Sequence, residues 1–331
     1  METVVSGIRP TGRLHLGNYL GAVQNFVRMQ YEHNCFFFIA DYHALTTQSG
    51  ASNLKENVKN ILVEYLACGL DPEAAALYVQ SSLPETAELY LILNMNAYLG
   101  ELTRCTSFKE KARKQEENIN AGLLTYPTLM AADILIHKAT KVPVGKDQEQ
   151  HLEMTRNFAN RFNKMYNVDF FPEPFSYNFG SQSVKIPGLD GSTKMGKSEN
   201  RDNSIYLSDS PDTVRKKVMR AVTDTGPVKK NQPKTQAVEN LFIIMKAVSK
   251  VEVYDYFQEK YNQCEIKYSE MKKQLAEDII TFTEQIREKI ISISSDDAYL
   301  NRILKEGTDK AHASANNTMK EIRSIIGLSE I

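Results

Sequence analysis

At 331 residues, with 42% hydrophobic and 24% charged side chains, the chain has the composition of an ordinary globular protein and the length of about two domains. A formal net charge of −1 provides no global field for holding a nucleic acid, so an RNA partner must be met by local patches. The four cysteines, Cys35, Cys68, Cys105 and Cys264, are widely spaced without a CxxC pair, which excludes a disulfide framework and a zinc site, and no stretch approaches the roughly twenty apolar residues of a membrane span.

Met1-Glu2-Thr3-Val4 runs straight into a strand-like segment, without the basic-then-apolar profile of a signal peptide, and a cytoplasmic location is expected. Thr3-Val4-Val5-Ser6 reads as a short strand. The Gly/Pro-punctuated turn Gly7-Ile8-Arg9-Pro10-Thr11-Gly12 closes it, before an apolar-periodic helix near 16–29. His15-Leu16-Gly17-Asn18 falls at that helix start, where unpaired backbone N–H groups and the positive dipole end favour phosphate. Gly17 has no side chain to keep a base or ribose off the backbone, and the His15 and Asn18 side chains are expected to face the phosphates. An ordinary helix start with Asn18 as its cap fits the same four residues.

The run from Cys35 to Ala40 is continuously apolar and of strand length, as in a strand covered on both faces. Asp41-Tyr42-His43 follows at its C-terminal end, where ligands gather in parallel sheets. A helix near 53–68, a stop at Gly69-Leu70-Asp71-Pro72 and a strand at Leu77-Tyr78-Val79-Gln80 continue the alternation, which predicts an α/β fold with a doubly wound parallel sheet. The pattern over 85–114 is helical, and Leu89, Ile92, Leu93, Met95, Tyr98 and Leu99 give it an apolar face suited either to a subunit contact or to plain packing. Lys109, Lys111, Arg113 and Lys114 near its end read as a solvated charge run.

Tyr126-Pro127-Thr128 opens a helix in which Asp133 is an acid between Met130-Ala131-Ala132 and Ile134-Leu135-Ile136. Burying such a carboxylate is costly unless something donates to it: a lysine or arginine on a neighbouring helix, or a ligand N–H or O–H. The strand Lys141-Val142-Pro143-Val144 then turns through Gly145-Lys146-Asp147-Gln148 into an amphipathic helix over 149–166, a second Gly turn with an acid placed to accept both hydroxyls of a ribose. Residues 170–178 read as irregular and Val184-Lys185-Ile186 as a last strand.

Gly188-Leu189-Asp190-Gly191-Ser192-Thr193 has no apolar periodicity and reads as a mobile loop leading into Lys194-Met195-Gly196-Lys197-Ser198. Two flexible ammonium groups there suit a polyanion, although such a pentapeptide alone is more often a solvated turn. Helices are expected near 211–222, 237–248, 251–261, 268–292, 296–305 and 309–326, and Arg215, Lys216, Lys217, Arg220, Lys229 and Lys230 form a local basic cluster able either to hold RNA phosphates or simply to be solvated.

The turn Gly7–Gly12 with His15–Asn18, the run Met130–Ile134, the turn Gly145–Gln148 and the segment Lys194–Ser198, taken in that order, resemble the motifs of the class I aminoacyl-tRNA synthetases, and within them the bacterial tryptophanyl-tRNA synthetase family. His15–Asn18 corresponds to the HIGH-type motif and Lys194–Ser198 to the KMSKS loop, and the likeness runs from Val5 to about Gly327. Asn18 stands where the general motif has its second histidine, Gly196 in place of the central serine, and Lys146 where glutamate is common. The resemblance implies a Rossmann-like catalytic domain over 1–207, with a helical insertion near 85–137 contributing to a homodimer contact, and an all-helical C-terminal domain over 208–331 for the tRNA anticodon. It implies ATP-dependent activation of L-tryptophan and transfer to tRNA(Trp), with Mg²⁺ carried on the ATP phosphates rather than by side chains.

By the same resemblance, Lys194 and Lys197 on the loop and Lys111 opposite stabilise the leaving pyrophosphate, with His15 and Asn18 beside them. Arg9, Pro10, Thr11 and Gly17 complete the ATP cradle, Gly145, Lys146 and Asp147 hold the ribose, Ile186 and Met195 contact adenine, and Gly196 and Ser198 belong to the ATP-binding loop. Asp133 takes the indole N–H, Tyr126, Met130, His43 and Gln148 line the rest of the amino-acid pocket, and Val5 and Gly7 close it. Tyrosyl-tRNA synthetase, which shares the fold, is the nearest alternative; a small-molecule adenylyltransferase and a catalytically idle RNA-binding relative stand further off.

Overall fold

The computed structural model describes residues 1–46, 53–114, 119–145, 148–177, 185–196 and 203–328, with backbone only at 111 and 114. Five strands, β1 (Thr3–Ile8), β2 (Asn34–Ile39), β3 (Ala75–Val79), β4 (Lys141–Val142) and β5 (Phe175–Ser176), form one parallel sheet in the order β3-β2-β1-β4-β5. The chain winds outward from β1 through β2 to β3, then returns to the other side of β1 for β4 and β5. The order therefore reverses between β1 and β4, and the crevice beyond their C-terminal ends is where such sheets take ligands. Alternate residues of the central strands enter different cores: Val5, Phe36, Phe38 and Tyr78 lie in one, and Val4, Cys35, Phe37, Ile39 and Leu77 in the other. Burial on both faces is why the stretch from Cys35 to Ala40 is apolar throughout.

On one face lie α1 (Leu16–Asn18), a π-helical turn (Tyr19–Val23), α2 (Gln24–Met29) and α4 (Leu54–Ala67); on the other lie α5 (Pro84–Asn94), α9 (Tyr126–Leu135) and α10 (Glu149–Tyr166), while the short α3 (Asp41–Leu45) follows β2 at the sheet's end. The helical pattern over 85–114 is not one helix but three, α5, α6 (Leu99–Arg104) and α7 (Thr106–Lys114), and α8 (Ala121–Leu124) follows. Arg161 of α10 explains the first break: its guanidinium lies 3.9 Å from the Tyr98 ring centroid, donates to the Asn96 carbonyl at 2.8 Å and pairs with Glu101, satisfying a helix end that would otherwise be left open. Leu89 and Leu93 of the apolar face belong to the core, whereas Met95, Tyr98 and Leu99 are exposed together with Leu91. Two strand expectations also change. The stretch read as irregular contains β5, and residues 185–186 form no strand, with Val184 outside the described residues.

The C-terminal part comprises α11 (Pro211–Met219), α12 (Gln236–Val248), α13 (Val251–Asn262), α14 (Tyr268–Ser294) and α15 (Asp297–Ile326). The two helices expected at 296–305 and 309–326 are a single 30-residue helix, because Gly307 answers a packing need rather than breaking the chain: a Cβ there would stand 1.9 Å from the Leu77 carbonyl oxygen. Through that contact α15 covers the edge strand β3, a row of backbone groups that otherwise invites pairing with another chain. Residue 208 is therefore not a clean packing boundary. α11 to α13 and most of α14 share a core with the segment from Ile186 to Ile205, whereas Leu300 and Ile303 of α15 join one sheet core and Ala311, Ala315, Met319 and Ile322 the other. Among the described residues no helix is long and apolar enough to cross a membrane. All four cysteines are free, and only Cys264 is exposed.

Candidate active site

The turn after β1 is fastened before it reaches the helix. Glu64 of α4, almost wholly buried, accepts the Leu14 N–H at 2.6 Å. Leu207 donates to the Leu14 carbonyl at 3.0 Å and Leu16 donates to the Ile205 carbonyl at 2.8 Å. The HIGH-type segment is thus paired with the far end of the segment that carries the two lysines. The His15 and Asn18 side chains do not both point outward, as expected from sequence. They form a capping box, with His15 Nδ1 accepting the Asn18 N–H and Asn18 Oδ1 accepting the His15 N–H, each at 3.1 Å, so His15 rather than Asn18 is the cap. A Cβ at Gly17 would come within 3.1 Å of the His15 ring and 3.5 Å of Ile186 Cβ, which brings the cradle glycine and the expected adenine contact to the same spot.

The segment 185–196 is not the free loop its composition suggests. Asn240 of α12, fully buried, donates from its amide to the carbonyls of Gly188 (3.1 Å) and Ser192 (2.8 Å), and Met195 donates to the Ile186 carbonyl at 2.7 Å. The Met195 side chain is buried beside Leu16, Ile186 and Ile205. Ser204 Oγ donates to the Gly196 carbonyl at 2.7 Å, and Lys217 of α11 holds the Ser204 carbonyl and Asp209 at 2.9 and 2.7 Å. The hydrogen bonds of the Asp190 carboxylate, above all with Ser192, hold it below the usual carboxylate range. Lys194 is exposed at the end of this braced arm; Lys197 and Ser198 lie outside the described residues.

At the ends of β2 and β3 stands a closed polar group. Asp133 of α9, 3% exposed, faces His43 Nε2 with Oδ2 at 2.7 Å and accepts Gln80 Nε2 with Oδ1 at 2.7 Å. Among the described residues neither lysine nor arginine is its partner. Burial raises the Asp133 carboxyl, and the hydrogen bonds from His43 and Gln80 oppose that rise. The Tyr126 ring leans on His43 with centroids 4.4 Å apart, and its phenol is raised by burial, an effect that the nearby Arg9 charge opposes. Met130 is half-buried one turn earlier on α9, Val5 is buried under it in the same core, and the Phe38 ring covers Gly7, 2.6 Å from where a Cβ would stand.

Across the crevice, Ser6 Oγ donates to the Pro143 carbonyl at 3.4 Å, tying the end of β1 to the second Gly turn. Gly145 is exposed, and Lys146 and Asp147 lie outside the described residues. Gln148 Oε1 meets His151 Nδ1 at 2.8 Å, His151 Nε2 meets Ser107 Oγ at 2.7 Å, and Gln150 Oε1 accepts both Thr106 N (2.9 Å) and Thr106 Oγ1 (2.6 Å). The start of α10 is thereby bound to the start of α7, the helix that carries Lys111, whose side chain is outside the described residues. Burial lifts the Cys105 thiol in this chain, but hydrogen bonds with His151 and Ser107 outweigh it and bring it down to about 7.

Sequence reasoning missed Gln80, His151, Ser107 and Asn240, and it placed Lys217 in a basic cluster for RNA or solvent, whereas Lys217 is buried and paired with Asp209 and the Ser204 carbonyl. Gln80 was legible in principle: β2 and β3 pair with Ile39 opposite Val79, so the residue after Val79 emerges beside the Ala40–His43 turn.

Sheet order, a capped helix after β1 and a lysine-bearing arm that returns to that cap together define the nucleotide-binding fold of a class I ligase. The family described as tRNA synthetases class I (W and Y) matches residues 2–284. A tryptophan–tRNA ligase of Porphyromonas gingivalis is 62% identical over 327 residues, 99% of each chain, and one of Clostridium tetani is 40% identical over 328 residues, 98% of this chain and 96% of that one. The crystal structure of the tryptophanyl-tRNA synthetase from Campylobacter jejuni complexed with ADP and tryptophan is similar with a TM-score of 0.87 at 33% identity, over 98% of this chain and 99% of that one. The chain belongs to the class I tRNA synthetases for tryptophan and tyrosine, on the bacterial tryptophanyl branch.

Proposed function

We propose that this chain activates L-tryptophan with ATP and passes it to the 3′-terminal adenosine of tRNA(Trp). The observation that carries the choice of amino acid is the buried Asp133, which is paired with His43 and Gln80 and with no lysine or arginine among the described residues, and so presents acceptor capacity at the end of the sheet. An indole N–H satisfies it. Phenylalanine would leave its remaining acceptor capacity unmet, a penalty that reaches ~10⁴-fold in pockets built around one such hydrogen bond. Tyr126, Met130, His43 and Gln148 form the walls, with Val5 and Gly7 as the floor.

In the first step the ionised carboxylate of tryptophan attacks the α-phosphorus. One O–P bond forms, the bridge to the β-phosphate breaks, and pyrophosphate leaves with the electron pair. No protein base is required, so the chain's work is positioning and charge stabilisation. Arg9, Pro10, Thr11, Gly17 and Asn18 seat the triphosphate, with His15 bracing Asn18. Gly145, Lys146 and Asp147 hold the ribose, and Ile186 and Met195 flank adenine. Lys194, Lys197 and Lys111 draw off the developing charge, with Gly196 and Ser198 setting the reach of the arm. In the second step the adenosine hydroxyl attacks the acyl carbon and AMP leaves.

Mg²⁺ arrives with the ATP phosphates, bridging them rather than resting on protein side chains. The exposed Leu91, Met95, Tyr98 and Leu99 suit a homodimer contact, the C-terminal helices with Arg215, Lys216 and Arg220 suit the anticodon arm of tRNA, and the cytoplasm suits the reaction. The chain contains no tryptophan, so added tryptophan is the sole indole in the cuvette. Its fluorescence should change saturably on binding and resist competition by tyrosine. Displacement by tyrosine instead would move the assignment to the tyrosyl branch.

A further inference from the structure

Gln80 has no part in the reaction just described, yet it is the most completely engaged side chain in the pocket. It is 1% exposed and uses both ends of its amide, donating from Nε2 to Asp133 Oδ1 at 2.7 Å and accepting the His43 backbone N–H on Oε1 at 3.4 Å. Because the two ends do opposite work, the amide cannot flip. His43 completes the group from the other side, its Nε2 at 2.7 Å from Asp133 Oδ2, while His43 Nδ1 is buried with no partner among the described residues. A buried carboxylate receiving one donor on each oxygen is fixed in rotation as well as in place.

We infer that Gln80 is a positioning residue for tryptophan selection: it orients the buried Asp133 carboxylate and keeps it ionised, so that a charged acceptor faces the substrate N–H. The inference rests on the reading of Asp133 as the indole acceptor. The chemistry follows from the surroundings. Burial drives the Asp133 carboxyl toward its neutral form and Asp41 beyond β2 adds a like charge that pushes the same way, while His43, through its hydrogen bond and its charge, and then the Gln80 hydrogen bond push back. Tyr78 on β3 and Tyr126 on α9 also face the group; burial, with a smaller contribution from the Asp133 charge, raises their phenols and keeps them neutral, so neither adds a charge beside Asp133. A carboxyl that takes up a proton loses half of its acceptor strength on one oxygen and becomes a donor, the wrong partner for an N–H.

The test is the pH dependence of KM for tryptophan in ATP–pyrophosphate exchange, measured for the unaltered chain, Gln80→Met, Gln80→Glu and Asp133→Asn. Gln80→Met keeps the volume and removes the donor, so Asp133 holds its proton to higher pH. KM should rise about tenfold, with kcat within a factor of about three, and should worsen as pH falls. Gln80→Glu should do the reverse. While the introduced carboxyl keeps its proton it still donates to Asp133 and binding stays near normal; once it ionises, two carboxylates face each other and KM climbs as pH rises. A packing role predicts no such inversion. Equal, pH-independent losses in both variants, or an unchanged KM profile in Gln80→Met, overturn the inference. Should Gln80→Met not accumulate as folded protein, the sign of the pH dependence in Gln80→Glu decides alone. Asp133→Asn separates the two failures: if it binds tryptophan normally, the reading of Asp133 itself is wrong; if it binds poorly while both Gln80 variants stay flat, only the role of Gln80 is lost.

Discussion

The floor of the crevice and the arm above it are both held by buried amides, but they are fastened to different bodies. At the floor, Gln80 and His43 bind Asp133 across the ends of β2, β3 and α9, so the pocket proposed for the amino acid is built on the sheet. In the arm, Asn240 of α12 binds Gly188 and Ser192 and Lys217 of α11 binds Ser204, so the described part of the arm is fastened to the C-terminal helices, and it meets the sheet domain through the pairing of Leu14 with Leu207 and Leu16 with Ile205. On the proposed function this is a division of labour: the groups assigned to the indole are fastened to the sheet, whereas the lysine assigned to phosphate that the structure describes, Lys194, sits on a segment fastened to the C-terminal helices. Positioning for selectivity and positioning for charge stabilisation have different tolerances, the first being lost over a fraction of an ångström.

The division breaks most sharply, if it is wrong, in Lys197→Ala. Removing an ammonium that acts only on the leaving pyrophosphate should lower ATP–pyrophosphate exchange on the order of a hundred- to a thousandfold. Tryptophan binding, read by its own fluorescence, should be nearly unchanged. A parallel loss of binding would show that arm and floor are one site. A smaller effect is expected from Asn240→Ala, which leaves the Gly188 and Ser192 carbonyls without their buried donor and should cost about 2 kcal/mol of stability. KM for ATP should rise while KM for tryptophan stays put; equal rises in both would deny that the arm hangs from α12.

The two regions were not equally legible in the sequence. Parallel strands buried on both faces announce themselves as unbroken apolar runs, which is how β1, β2 and β3 and the turns after them were placed. Asp133 was visible because an acid inside such a run demands a partner. Gln80 was not, since a glutamine after a strand is ordinary until the pairing of Ile39 with Val79 puts it beside His43. The braced arm was misread as mobile because its fastening, Asn240, lies 52 residues from Gly188, and no local pattern reports a long-range amide. His15 and Asn18 were read as phosphate-facing when each satisfies the other's backbone. In α15 a glycine looked like a break when it is a close approach to Leu77, and β5 was hidden by its two-residue length and Pro-rich setting.

An effect that appears only in acid also separates the two regions. His137 lies behind the floor, stacked on Phe36 with centroids 4.0 Å apart, its Nε2 meeting Tyr78 Oη and its Nδ1 meeting Ser314 Oγ of α15, each at 3.0 Å. Burial lowers its pKa from 6.5 to about 3, so the folded chain keeps it neutral while the unfolded chain takes up a proton. Because the folded value is depressed, its contribution to stability is whole above the unfolded pKa and drains away as pH falls toward about 3, at about 1.4 kcal/mol per pH unit. Acidification should therefore loosen the joint between β3 and α15 before it loosens α11 and α12. Hydrogen exchange at Tyr78 and along α15 should quicken first, and His137→Gln, which offers a donor and an acceptor but no titration, should flatten the acid limb of Tm against pH. Identical acid limbs in the two proteins would place the acid sensitivity elsewhere, and exchange quickening first in α11 and α12 would locate it in the arm.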